Sequence, residues 1–126
     1  MPENIVVIGL GSNLEPEVNI KRALDLLELK VKKIAVSNLE YTSPIGIADQ
    51  PDFLNGAVLV HTCLSRKQLD IQLKAVEDEM GRDRSVPKFG PRIIDLDIII
   101  WNNEVVDDDF YKRDFLRRAV EQVINI

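Results

Sequence analysis

The chain has 126 residues with a formal net charge of −5, and 45% of its residues are hydrophobic. We expect one domain, residues 1–126, around one core, and the single cysteine excludes both an intrachain disulfide and a cysteine-based zinc site. The acidic balance and the absence of an apolar run of about 18 residues argue against nucleic acid and membrane as partners. The first apolar run is too short for a signal peptide, so we expect a cytoplasmic protein.

The first half of the chain predicts a strand, a helix and a second strand. IVVIGLG, residues 5–11, has the composition of a buried strand. Pro16 can occupy the first turn of a helix, and apolar residues at helical spacing extend that helix over residues 16–32: Ile20, Ala23, Leu24, Leu27 and Val31. Residues 34–42 predict the second strand, and the Pro- and Gly-containing residues 43–52 predict a loop.

The second half repeats this alternation. Residues 53–64 predict a third strand, after which Ser65 and Gln68 have the spacing of a capping box that opens a second helix. Apolar residues at helical spacing extend this helix to Gly81: Leu69, Leu73, Val76 and Met80. A charged loop over residues 82–92 precedes a fourth strand at 93–101.

The tail predicts a short strand at Val105 and Val106 and a final helix over residues 110–123. The complete order indicates an α+β, ferredoxin-like βαββαβ fold, with an antiparallel sheet and helices on one face. A doubly wound parallel sheet is less favoured, because no helix separates the second and third strands.

Two aspartates interrupt the fourth strand in the stretch KFGPRIIDLDIII, residues 88–100. Alternation predicts that the apolar residues share the core face: Ile94, Leu96, Ile98 and Ile100. Asp95 and Asp97 then share the other face, roughly 6.6 Å apart along the strand. Carboxylates this close repel each other, and Mg²⁺, which takes one or two carboxylates together with phosphate oxygens, would relieve that repulsion.

A simpler interpretation makes the two aspartates the solvated face of an edge strand, paired with Arg92. The preceding loop favours the metal site, because four basic residues fall between positions 82 and 92 against one acid: Arg82, Arg84, Lys88 and Arg92. A local basic patch on an acidic protein indicates a small anionic ligand. His61 and Cys63 are predicted to be structural, with Cys63 buried, and GLGSN at residues 9–13 lacks the lysine of a phosphate-binding loop.

These residues resemble a known family. KFGPRIIDLDII resembles the K/R-x-G-P-R-x-x-D-L-D-I-I motif of 6-hydroxymethyl-7,8-dihydropterin pyrophosphokinases, enzymes of folate biosynthesis. GLGSNL, YTSPIG, DQPDFLNGAV and EDEMGRDR resemble further blocks of the family in the same order. The resemblance implies a ferredoxin-like fold and transfer of pyrophosphate from ATP to the hydroxymethyl oxygen of the pterin, with release of AMP.

The resemblance also implies roles for individual residues. Asp95 and Asp97 would bind two Mg²⁺ ions and act in catalysis with Arg82 and Arg92. The pterin would be bound by a polar and aromatic set: Thr42, Ser43, Ile45, Phe53, Asn55, Phe89 and Phe115. The nucleotide would be bound by a mostly basic set: Arg82, Arg84, Lys88, Arg92, Ile98 and Arg113.

The C-terminal region departs from the family pattern. A Pro-His element is absent, and RDFLRRAVEQV from Arg113 resembles a shortened form of the family's final segment. Lys112 is one candidate to replace the missing nucleotide contact. Weak nucleotide binding or a loss of catalysis are the other consequences of a shortened tail, so a catalytically silent pterin- or nucleotide-binding relative stays open as an alternative. A ferredoxin-like assembly module without a ligand is a further alternative, but it would leave the conjunction of motifs unexplained. The sequence leaves the oligomeric state undetermined.

Overall fold

The computed structural model describes residues 2–46, 48–82, 85 and 91–124. In these residues the strands are β1 Asn4–Ser12, β2 Lys32–Val36, β3 Glu40–Thr42, β4 Phe53–Thr62, β5 Asp95–Trp101 and β6 Glu104–Val105. The helices are α1 Pro16–Glu28, α2 Arg66–Glu79, α3 Asp109–Lys112 and α4 Asp114–Ile124. None of the described helices is long and apolar enough to span a membrane.

All the strands belong to one antiparallel sheet with the order β2-β4-β1-β5-β6, and β3 pairs with β4 beyond the end of β2. The long strands β1 and β4 pair over their whole length, from Asn4 opposite Thr62 to Ser12 opposite Leu54. β5 lies on the other side of β1. This α+β, antiparallel arrangement confirms the predicted fold class.

Helices α1 and α2 cover one face of the sheet. Buried aliphatic residues at helical spacing contact the sheet: Ile20, Ala23 and Leu27 of α1 and Leu69, Leu73 and Val76 of α2. They meet residues of β1 and β4 at the two-residue spacing of strands: Val6, Ile8, Leu10, Leu54, Val58 and Val60. The predicted start of α2 is confirmed, since Ser65 and Gln68 form a capping box.

The C-terminal helix α4 covers part of the opposite face, in addition to the two helices expected from the βαββαβ order. Its buried stripe packs on Val7, Ala57 and Leu59: Leu116, Ala119, Val120 and Val123. An ion pair between Arg118 and Glu40 holds the helix beside β3. None of the described helices covers the part of this face next to the start of α4.

The structure corrects four details of the predicted elements. A register shift in the β1–β5 ladder moves Ile100 to the α4 face, where it joins Ile99, so Ile100 does not share a face with Leu96 and Ile98. The predicted strand 34–42 is interrupted between β2 and β3, and the predicted helix 110–123 is broken at Arg113, whose backbone is extended. Cys63 is exposed rather than buried.

Candidate functional site

A cavity of about 390 Å³ lies on the uncovered part of the α4 face. Its walls come from the middle of β1, the start of β4, β5, the loop after β3 and the start of α4. Gly9 and Gly11 of β1 line it and present no side chains. A Cβ atom at Gly11 would lie 3.1 Å from Asn55 Oδ1, and one at Gly9 would lie 3.1 Å from Ile99 Cγ1. The glycines therefore keep the cavity open between its two sides.

The two aspartates of β5 face this cavity together. Asp97 lies opposite Gly9 in the β1–β5 ladder and Asp95 lies opposite Gly11, while Leu96 between them enters the core under α1 and α2. The strand alternation of the sequence thus brings both carboxylates to one concave surface.

The pKa of Asp97 is raised to about 7. Desolvation is the largest cause, followed by the negative charges of Asp95, Asp107 and Glu77, and the Arg82 guanidinium opposes them. The side chain is accessible from the cavity, but the protein surrounds it on its other sides. Burial and the neighbouring carboxylates therefore both disfavour the ionised form of Asp97.

Glu77 of α2 is 3% exposed and joins the helix to β5. Its Oε2 accepts a hydrogen bond from the Leu96 N–H at 2.8 Å. Its Oε1 lies 2.6 Å from Arg82 Nη1, and the same nitrogen lies 3.0 Å from Asp95 Oδ1. Burial raises the pKa of Glu77, and the Leu96 N–H and Arg82 oppose this rise. This network fixes Arg82 beside the acidic pair.

A polar and aromatic wall stands on the other side of β1. Asn55 Nδ2 donates to Thr42 Oγ1 at 2.7 Å and more weakly to the carbonyls of Phe53 and Glu40. Because these acceptors fix the amide, Asn55 Oδ1 points toward Gly11 and the cavity floor. Amide groups and aromatic faces are the chemistry that binds a flat heterocycle with several donors and acceptors.

The acidic pair has the donor chemistry of a magnesium site. Among the described residues, no group of three or more His, Cys, Asp or Glu side chains is arranged to hold a metal ion. Mg²⁺ does not need such a cage, because it usually keeps several waters and takes one or two carboxylates plus substrate phosphates. Desolvation and the neighbouring carboxylates raise the pKa of Asp97, and a divalent cation beside it would favour the ionised form. Asp95 and Asp97 therefore fit Mg²⁺.

Most of the predicted site residues come together in this one cavity: Thr42, Ser43, Ile45, Phe53, Asn55, Arg82, Arg92, Asp95, Asp97, Arg113 and Phe115. Arg113 reaches it because the chain is extended between α3 and α4. Ile98 is not among them, since its side chain packs with the core under α1 and α2. Arg84, Lys88 and Phe89 lie outside the described residues, and their roles stay predictions.

Several residues around the site were not among the predicted site residues. Asp107 and Asp109 line the cavity beside Arg113, and the signal for them is the run of three aspartates directly after the last predicted strand. Asn13 contacts the chain on either side of the cavity, and nothing local in the sequence indicates this.

Comparison with known proteins gives concordant similarities. A family model described as 7,8-dihydro-6-hydroxymethylpterin-pyrophosphokinase matches residues 7–125. The chain is 42% identical over 105 residues to the 2-amino-4-hydroxy-6-hydroxymethyldihydropteridine pyrophosphokinase of Pseudomonas aeruginosa, covering 81% of this chain and 64% of the relative. The namesake from Bacillus subtilis is 38% identical over 109 residues, covering 84% and 65%.

A plant protein extends the similarity. A folate synthesis bifunctional protein of Arabidopsis thaliana is 39% identical over 106 residues, which cover 82% of this chain and 22% of the relative. The chain thus spans just under two thirds of the length of the two bacterial relatives.

Proposed function

Because the chain belongs to the 7,8-dihydro-6-hydroxymethylpterin-pyrophosphokinase family, we propose that it transfers pyrophosphate from ATP to 6-hydroxymethyl-7,8-dihydropterin in folate biosynthesis. The hydroxymethyl oxygen attacks the β-phosphorus of ATP and releases its proton to water. The bond between the β-phosphorus and the oxygen that bridges to the α-phosphorus breaks, and AMP leaves. The observation that carries the proposal is one cavity in which an acidic pair, arginines and an amide–aromatic wall meet.

The pterin would occupy the side of the cavity lined by β3 and β4. Phe53 and Phe115 supply aromatic faces for its ring, and we assign the same role to Phe89. Asn55 and Thr42, already joined by a hydrogen bond, supply fixed polar atoms for the ring edge, and Ser43 and Ile45 complete this side. A rigid pocket would hold the hydroxymethyl group toward β5.

The triphosphate would occupy the opposite side, above β5. Arg82, Arg92 and Arg113 line the cavity, and Arg82 contacts Asp95 of β5. A guanidinium matches phosphate oxygens with paired donors. We assign further phosphate contacts to Arg84 and Lys88, and a nucleotide contact through its backbone to Ile98. Phosphoryl transfer depends chiefly on position and on electrostatic stabilisation, which this chain's arginines supply.

Asp95 and Asp97 are the residues that would hold magnesium, with two ions proposed. When bound, Mg²⁺ offsets charge on the phosphates and on the leaving group. The chain's own part is to hold both carboxylates on one strand, facing the cavity. Asp97 needs the cation to be fully ionised near neutral pH, because its pKa of about 7 leaves it partly protonated without one.

A second candidate function is binding of pterin or nucleotide without transfer. It is favoured by the contacts of Arg82, whose Nη1 is shared between Glu77 and Asp95. In this arrangement an arginine needed for phosphate and a carboxylate needed for metal are paired with each other. Catalysis then requires that bound Mg²⁺–ATP compete with this ion pair.

The test is release of AMP from ATP, Mg²⁺ and 6-hydroxymethyl-7,8-dihydropterin, measured by chromatography. We expect AMP formation that requires both the pterin and Mg²⁺ and is abolished in Asp97→Ala. Asp25→Ala, an exposed position on α1, is the matched control and should retain activity. Pterin binding without AMP would support the silent relative, and absence of both binding and AMP would exclude both functions.

A further inference from the structure

Asn13 directly follows β1 and is only 2% exposed. Its Oδ1 accepts a hydrogen bond from the Arg92 N–H at 2.8 Å, and its own N–H donates to the Arg92 carbonyl at 3.1 Å. Its Nδ2 donates to Gln50 Oε1 at 2.8 Å and to the Pro51 carbonyl at 3.0 Å. One small buried side chain therefore joins three separate parts of the sequence.

The orientation of the Asn13 amide follows from its partners. A backbone N–H such as that of Arg92 only donates, and the Pro51 carbonyl only accepts. The oxygen must therefore face Arg92 and the nitrogen must face Pro51. No other residue of this size supplies both an acceptor and two donors here, because aspartate lacks the donors and serine lacks the reach.

The segments that Asn13 joins lead to opposite sides of the cavity. Arg92 lines the cavity and lies three residues before Asp95, which begins β5 and belongs to the acidic pair. Pro51 lies two residues before Phe53, which begins β4 and lines the other side with Asn55. These hydrogen bonds lie just beyond the ends of the strands, because Asn13, Arg92, Gln50 and Pro51 are all outside them.

We propose that Asn13 is a positioning residue that holds Arg92 and the 50–53 segment at a fixed distance. This distance would align the hydroxymethyl oxygen of the pterin with the β-phosphorus of ATP. This inference rests on the proposed function. Misplacement by about 1 Å can lower a rate about 100-fold, because the reacting atoms must lie in line at near-contact distance. A residue that joins both sides controls this geometry without touching either substrate.

Two variants of Asn13 separate its hydrogen bond to Arg92 from its hydrogen bonds to Gln50 and Pro51. Asn13→Ala removes all the side-chain bonds, and we expect kcat to fall about 10- to 100-fold. Asn13→Asp retains the acceptor for the Arg92 N–H but places an oxygen against the Pro51 carbonyl. We expect Asn13→Asp to raise the KM for the pterin and lower kcat, with the KM for ATP within about twofold of wild type because its link to Arg92 persists.

Asn4 provides the matched control, since it lies at the opposite end of β1 and its Nδ2 also donates to a backbone carbonyl, that of Leu64, at 2.8 Å. Asn4→Ala should lower the melting temperature while leaving kcat and both KM values unchanged. Gln50 provides a second route that leaves the buried side chain intact. Gln50→Leu removes one acceptor and should lower kcat, and Gln50→Glu, which restores an acceptor, should recover it.

The positioning role of Asn13 is tested by steady-state kinetics with ATP, Mg²⁺ and 6-hydroxymethyl-7,8-dihydropterin, together with the melting temperature of each variant. The inference is wrong if folded Asn13→Asp keeps the wild-type kcat and pterin KM, or changes the ATP KM as much as the pterin KM. If the Asn13 variants do not fold, equal kcat in Gln50→Leu and Gln50→Glu overturns it. A wild-type chain that binds neither substrate refutes the proposed function itself, and this inference with it.

Discussion

Replacing Asp97 by asparagine should abolish transfer and yet stabilise the metal-free protein. The pKa of Asp97 rises from 3.8 to about 7 on folding, mainly through desolvation and then through Asp95, Asp107 and Glu77. A folded-state pKa above the unfolded value means that ionisation opposes folding. Wild-type stability is therefore lost as the pH rises from about 4 to 7, and the loss is constant above 7.

The gain in stability expected for Asp97→Asn follows from the raised pKa of Asp97. Three units at about 1.36 kcal/mol each give an upper limit near 4 kcal/mol. Asp97 is accessible from the cavity, so solvent screening reduces this to about 1–2 kcal/mol. For a chain of this length that corresponds to a gain of about 4–8 °C in melting temperature for Asp97→Asn at pH 8.

Thermal unfolding at pH 4 and pH 8, with and without Mg²⁺, measures this difference in melting temperature between Asp97→Asn and the wild type. The melting temperature of Asp97→Asn should be close to that of the wild type at pH 4 and higher than that of the wild type at pH 8. Mg²⁺ should narrow the gap at pH 8, because it stabilises the wild type by binding the folded carboxylates. Asp25→Asn, on the exposed face of α1, should show no such pH dependence. A pH-independent difference, or equal Mg²⁺ stabilisation of both proteins, would refute the reasoning.

Three further substitutions test other parts of the structure. Gly11→Ala places a Cβ 3.1 Å from Asn55 Oδ1 and should weaken pterin binding by about 1 kcal/mol, roughly fivefold, with ATP binding unchanged in calorimetry. Glu77→Ala removes a buried partner of Arg82 and should lower the free energy of unfolding in urea by about 3 kcal/mol; a change below about 1 kcal/mol would contradict this assignment. Ser65→Ala breaks the capping box of α2 and should cost about 1 kcal/mol without altering kcat.

The elements that could be predicted from the sequence are those with strong local patterns. Helix α2 follows from its capping box and its apolar spacing, and β1 and β4 follow from continuous apolar runs. The face of Ile100 could not be predicted, because a register shift depends on the partner strand. The break at Arg113, where the backbone is extended, could not be predicted, because no glycine or proline marks it in the sequence.

Some residues of the site could likewise be predicted from the sequence, and others could not. Asp95 and Asp97 could be placed on one face by alternation alone, because they lie before the register shift. The role of Asn13 could not be predicted, because its hydrogen bonds reach residues 37 to 79 positions away. Asp107 and Asp109 enter the cavity only because α3 and α4 fold back over the sheet.

The spacing of the strands sets the distance between the proposed pterin side and the proposed triphosphate side of the cavity. Asn55, Gly11 and Asp95 form one row across β4, β1 and β5, since Gly11 is the ladder partner of both other residues. With strands about 4.8 Å apart, the amide and the carboxylate stand on backbones roughly 10 Å from each other. In the proposed function, a side chain at the central position would narrow the gap in which the pterin hydroxyl and the β-phosphate would meet. Gly9 and Gly11, which place no side chains in the cavity, would thus allow the two proposed binding surfaces to form one reaction site.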